Sequence, residues 1–176
     1  LPKGMYRSGS VTYSGKLFII GGIETNGNIS TNIYEYIPLS NNWSNRSPMQ
    51  MKHKNFAVSS TNSRIFILGS EPVGSTVGNE VEEYNPVLDT WTNKMPIPLI
   101  VRNSGYGSIN NNIYLIGGYS VSNNVDTNQL LIYNSLNDSW TYGSNLPINI
   151  EDLSVSIYNN NIYVFGGSFN FGSIQT

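Results

Sequence analysis

His53 is the only histidine in a 176-residue chain that has no cysteine. A Ser-His-Asp relay would have to be built on it, and neither G-x-S-x-G nor H-E-x-x-H accompanies it. His53 therefore reads as a surface-loop residue. Without cysteine there can be no disulfide, no thiolate metal site and no cysteine nucleophile. The glycine-rich run GSEPVGSTVGNEV (69–81) lacks the G-K-[ST] ending that cradles a phosphate, and reads as a plain long loop. In EVEEY, Glu80 and Glu82 alternate to one face of a strand; with no Asp-x-Asp loop nearby, they read as a solvated edge and not as a metal site. Four Asn-x-Ser triplets, at Asn28, Asn42, Asn45 and Asn137, are what so Asn- and Ser-rich a sequence produces by chance. The expectation is a chain with no catalytic residue, no metal site and no cofactor.

Charged residues make up 11% of the chain and the net charge is −2. No basic stripe is present to neutralise a run of phosphates, so neither nucleic acid nor an anionic membrane is an expected partner. The longest apolar stretches are far below the ~20 residues that span a bilayer, so no membrane insertion is expected. An apolar content of 39% fits one domain with a real core. Composition leaves the compartment open.

The elements that must position any site are announced by a repeat. LFIIGGIE (17–24), IFILGSEP (65–72), IYLIGGYS (113–120) and IYVFGGSF (162–169) are versions of one phrase. Their first glycines, Gly21, Gly69, Gly117 and Gly166, are spaced by 48, 48 and 49. Tyr36 and Trp43, Tyr84 and Trp91, and Tyr133 and Trp140 are each seven apart and keep the same beat. Each unit reads as four strands: a small-residue alternating run (GSVTY, FAVSS, GYGSI, LSVSI), the apolar phrase, an alternating run ending in Tyr, and a strand carrying Trp. The apolar second strand is continuous because both its faces are to be covered. A four-stranded sheet cannot bury both faces alone; arranging such sheets around an axis lets each pack on its neighbours. The spacing gives one all-β unit over 1–176, with repeats at roughly 1–47, 48–95, 96–146 and an incomplete 147–176.

An apolar strand ending in Gly-Gly, with a Tyr and a Trp separated by six residues, resembles the kelch repeat. The resemblance covers nearly the whole chain and implies a partial kelch-type β-propeller of four-stranded antiparallel blades, about 3.5 in number. The kelch family contains a copper radical oxidase related to galactose oxidase, whose cysteine and several histidines are missing here. It also contains bacterial sialic acid mutarotases, to which no motif points, so a carbohydrate-related propeller stands as the alternative. Its members commonly bind a protein or peptide on one propeller face, through residues just after the glycine pair and residues leading into the first strand. The positions after the glycines are Ile23 and Glu24, Glu71, Tyr119 and Ser120, and Ser168 and Phe169.

Ahead of the first strand, the family often has an arginine sixteen residues before the first glycine. That offset holds Met5, His53, Val101 and Ile150, and basic residues stand one or two places later at Lys54, Arg102 and Arg7. A one-residue shift reverses the facing of a strand. The candidate partner-binding set is thus Arg7, His53, Lys54, Glu71, Arg102, Asn103, Tyr119, Ser120, Ser168 and Phe169. Arginines beside Tyr119 suit a protein or peptide of acidic character. Because the first glycine is kept in all four phrases and the second is Ser70 in one, the first is expected to carry the stricter steric demand. Three units and half of a fourth leave two apolar sheet faces, so the ring is expected to be completed by further sequence or by another chain.

Overall fold

The computed structural model describes residues 1–74 and 77–169. Three four-stranded antiparallel meanders follow one another: Gly9–Tyr13, Lys16–Ile20, Ile33–Ile37 and Asn42–Arg46; Ala57–Thr61, Arg64–Leu68, Val81–Asn85 and Thr90–Lys94; Gly105–Ile109, Asn112–Ile116, Leu130–Asn134 and Ser139–Tyr142. A fourth sheet pairs Glu151–Tyr158 with Asn161–Ser168. These are the blades that the 48-residue beat predicts. Among the described residues there is no α-helix, and so none long and apolar enough to cross a membrane.

The first two gaps between blades are filled by the apolar second strands and the Tyr-Trp pairs. Phe18, Ile20, Ile33, Met49, Val58, Ile65, Ile67 and Tyr84 form one core between blades one and two, and Phe66, Leu68, Ile97, Ile113, Leu131 and Tyr133 form the next. Phe18 meets the edge of Tyr84 at 6.3 Å, and Phe66 meets Tyr133 at 5.6 Å, the edge-to-face geometry that aromatic quadrupoles favour. The first strands line the axis and must be small-sided. A Cβ on Gly105 would lie 2.0 Å from Leu153 Cδ1 of the next blade, which leaves glycine as the residue that fits.

Neighbouring blades are also stitched by polar clamps at the Trp strand. The Asp89 carboxylate in blade two accepts the Ser47 N–H of blade one at 2.9 Å, and the Trp91 indole N–H donates to the Ser47 carbonyl at 2.9 Å. One blade later, Asp138 accepts the Met95 N–H at 2.8 Å and Trp140 donates to the Met95 carbonyl at 2.9 Å. Tyr84 and Tyr133 donate their phenols to these same aspartates. Burial and the Asp89 carboxylate push the Tyr84 phenol above its ordinary value.

The glycine pair obeys a different rule from the expected one. The first glycines take φ between +56° and +64°, ordinary left-handed backbone. The second glycines, Gly22, Gly118 and Gly167, sit at +90°, +100° and +97°, and a Cβ on Gly118 would lie 2.7 Å from the Arg102 carbonyl. By backbone angle the second position therefore carries the stricter demand, while close approach constrains both, since a Cβ on Gly117 would lie 2.5 Å from the Ile150 carbonyl. Blade two escapes it by rerouting: Ser70 donates its N–H to the Gly78 carbonyl at 2.9 Å, and Gly78 takes the wide angle, φ +94°.

Candidate functional site

Two short pairings stand at the glycine end of the blades. Met5–Tyr6 runs against Ile23–Glu24, and Val101–Arg102 runs against Tyr119–Ser120. These pairings fix which side chains face in and which face out. The offset sixteen residues before the first glycine faces the core: His53, Val101 and Ile150 are buried and Met5 half-buried. One place later, Tyr6 is exposed and Lys54, Arg102 and Glu151 are half-exposed. The basic side chains thus face outward because of the one-residue shift in register.

His53 is no surface-loop residue. It is fully buried, with Nε2 2.8 Å from Oε2 of the equally buried Glu82 and Nδ1 3.3 Å from the Gly69 carbonyl oxygen. Glu82 also accepts the backbone N–H groups of Gln50 and Met51. The reading of EVEEY as a solvated edge fails for the same reason. Glu82 ties the blade-one to blade-two connection to His53, Glu80 accepts the Val77 and Gly78 N–H groups, and Glu83 pairs with Arg64 and Lys94. A polar residue is tolerated in such a core when every lone pair is filled, which no strand pattern reports.

The outward residues converge. Glu71, the residue after Ser70, is approached by basic side chains from three blades. Lys54 Nζ lies 3.1 Å from Oε1, and guanidinium nitrogens of Arg7 and Arg102 lie 3.9 and 3.8 Å from Oε2. The Asn55 amide donates to Oε2 at 2.9 Å. Partial burial pushes the Glu71 carboxyl up, but the Lys54 hydrogen bond and charge, the Arg102 charge and the Asn55 amide together hold it below the usual carboxylate range. The guanidinium of Arg102 also lies over the ring of Tyr119, 4.7 Å from its centroid. Beside them opens a cleft of about 350 Å³ lined by Glu71, Pro72, Arg102, Tyr119, Val121 and Asn124.

Of the candidate set, then, Arg7, Lys54, Glu71, Arg102 and Tyr119 form one cluster. Asn103 stands beside it, its amide donating to Glu151 at 3.0 Å. Ser120 is buried beneath the pairing with Val101 and offers no surface. Ser168 pairs with Glu151 in the fourth sheet, and Phe169 is 47% exposed there. The contacts to Glu71 come from Arg7, Lys54, Arg102 and Asn55.

A ring that escapes a search for basic residues stands fourteen residues before each first glycine: Arg7, Asn55, Asn103 and Asp152. All four take left-handed backbone, with φ of 55°, 55°, 56° and 55°. Asn and Asp tolerate that region, so two Asn and one Asp at one offset were the available signal; Arg7 is the exception. This turn lifts Arg7 toward Glu71 of the next blade. Among the described residues no group of three or more His, Asp and Glu is placed to hold a metal ion. The cluster presents charge, hydrogen-bonding groups and an aromatic face.

Comparison with known proteins agrees with this architecture. The family model of the Attractin/LZTR1 beta-propeller matches residues 1–175. No curated protein sequence matches the chain. The solved structure of YjhT superposes with a TM-score of 0.81 at 14% identity, a likeness that shows the fold; it covers 96% of this chain, which spans 60% of that one. The continuous Gly-Gly strands, the Tyr-Trp beat and the match over residues 1–175 place the chain in the Attractin/LZTR1 β-propeller family, a propeller of the kelch type.

Proposed function

We propose that the chain is a non-enzymatic binding module that takes an acidic segment of a protein or peptide at the glycine end of its blades. The observation that carries this reading is the convergence of Arg7, Lys54 and Arg102, from three different blades, on one spot beside Tyr119. Three cations against the single Glu71 carboxylate leave the spot net positive in a chain whose overall charge is −2. Such a local field steers acidic partners in and disfavours basic ones. Arginine stacked on an aromatic ring is a recurrent binding hot spot, because the stacking partner holds the guanidinium ready for a carboxylate.

The test is the triple variant Arg7→Ala, Lys54→Ala, Arg102→Ala, assayed against a fluorescein-labelled hexaglutamate peptide and against partners captured on the immobilised wild-type chain. Loss of most peptide affinity supports the reading; unchanged affinity removes it. A second reading, an acidic sugar as ligand, is favoured by the size of the cleft, about 350 Å³ with Arg102 and Tyr119 in its wall. Titration with sialic acid, with a mutarotation assay alongside, separates the two.

A further inference from the structure

The cationic cluster already holds a carboxylate, and the way it is held is uneven. Glu71 stands where the other phrases carry Ile23, Tyr119 and Ser168. Its backbone N–H donates to the Lys54 carbonyl at 3.0 Å, so the side chain is presented from an anchored backbone. Lys54 and Asn55 make close contacts with it, at 3.1 and 2.9 Å. The two guanidinium groups do not: at 3.9 and 3.8 Å they are neutralised by Glu71 from beyond hydrogen-bonding distance. Arg102 Nε, buried against Tyr119, makes no hydrogen bond. A guanidinium presents a planar fork of donors that one carboxylate can take two at a time, and neither fork is filled in that way. Both side chains keep open surface, Arg7 being 51% and Arg102 32% exposed, with the Nε of Arg102 covered.

We propose that Glu71 is an internal stand-in for the ligand's carboxylate. It occupies the cluster in the free protein, and an acidic segment binds in competition with it by filling the two guanidinium forks. This rests on the reading of the cluster as an acid-binding site. Its consequence is a charge threshold. A single carboxylate meets three cations already partly neutralised and gains little, whereas adjacent carboxylates on one segment can take both forks together. Glu71 thus selects for multiply acidic partners, and the rerouted exit through Ser70 and Gly78 delivers it to the site.

The experiment compares the full wild-type chain, Glu71→Gln, Glu71→Ala and the triple basic variant, using labelled hexaglutamate and hexaglutamine and reading fluorescence anisotropy. Glu71→Gln keeps the shape and removes the charge; Glu71→Ala covers the case in which the new amide finds contacts of its own. The expected result is hexaglutamate affinity about tenfold higher in both Glu71 variants at low salt, a gain that shrinks as salt screens the field. Hexaglutamine should bind to none of the four. If the wild type binds hexaglutamate, the triple variant does not, and both Glu71 variants bind equally or more weakly than wild type, the stand-in role is overturned and the acid-binding reading survives. If neither the wild type nor the Glu71 variants bind hexaglutamate, both are overturned.

Discussion

Arg102 and Tyr119 are cross-strand partners, and the guanidinium of the first lies 4.7 Å from the ring centroid of the second. The backbone pairing sets the two side chains side by side, and the stacking fixes the plane of the arginine. Tyr119 is itself held, since its phenol donates to Asn124 across the cleft. A long charged side chain pre-ordered in this way loses less entropy on binding than a free one, which is where such a site gains affinity.

Arg102→Lys should therefore not behave as a conservative change. A lysine keeps the charge but has neither the planar fork nor the stacking surface. Affinity for an acidic peptide is expected to fall about five- to tenfold, measured by anisotropy, while thermal stability stays within a few degrees of wild type. Equal affinity would show that only net charge matters.

The His53–Glu82 pair predicts a stability effect far from any ligand. His53→Ala leaves the Glu82 carboxylate buried without its ring partner, a loss of about 1–3 kcal/mol on the scale of a buried polar group left short of a hydrogen bond. Urea denaturation measures it. A cost below about 1 kcal/mol would mean that water replaces the ring.

Asp89 predicts an acid-side dependence. Burial alone would raise its carboxyl, but the Tyr84 phenol, the Ser47 N–H and the Arg46 charge hold it below the usual value. A carboxyl lowered in the folded state contributes stability that is present above its unfolded pKa of about 3.9 and is lost as pH falls through the folded value. Asp89→Asn should flatten the decline of melting temperature between about pH 5 and pH 2. It should leave the remaining slope to other low carboxyls such as Glu35.

Gly118→Ala and Gly15→Ala separate backbone angle from close approach. Both residues have positive φ, but a Cβ on Gly15 meets nothing within 4 Å, whereas one on Gly118 meets the Arg102 carbonyl and Ser104. Gly15→Ala should cost about 1–2 kcal/mol and Gly118→Ala about 3 or more. Calorimetric melting of the two variants checks the difference.

The blades were legible because a period of 48 residues repeats both the apolar phrase and the Tyr-Trp pair, and strand pairing follows from those alone. The site was legible in part. Arg7, Lys54, Arg102, Glu71 and Tyr119 were visible as residue types near the right ends of strands. Their convergence was not, because it depends on blade-to-blade packing and on the left-handed turn at Arg7, Asn55 and Asn103. His53 misled because a lone histidine between lysines, in MKHKN, carries no sign of the buried Glu82 that meets it from 29 residues away. The glycine pair misleads because retention in four phrases does not measure which backbone angle only glycine can adopt. The stricter position is the one that blade two abandons by changing its path.

The most direct test of the acid-binding account is an NMR titration of the assigned full chain with hexaglutamate, following backbone amides and arginine side-chain signals. The account predicts that the largest shifts fall on Arg7, Lys54, Glu71, Arg102 and Tyr119, with little change at the opposite-end turns carrying Leu39, Val87 and Leu136. Shifts centred on those turns, or on the fourth sheet around Ser168 and Phe169, would contradict it.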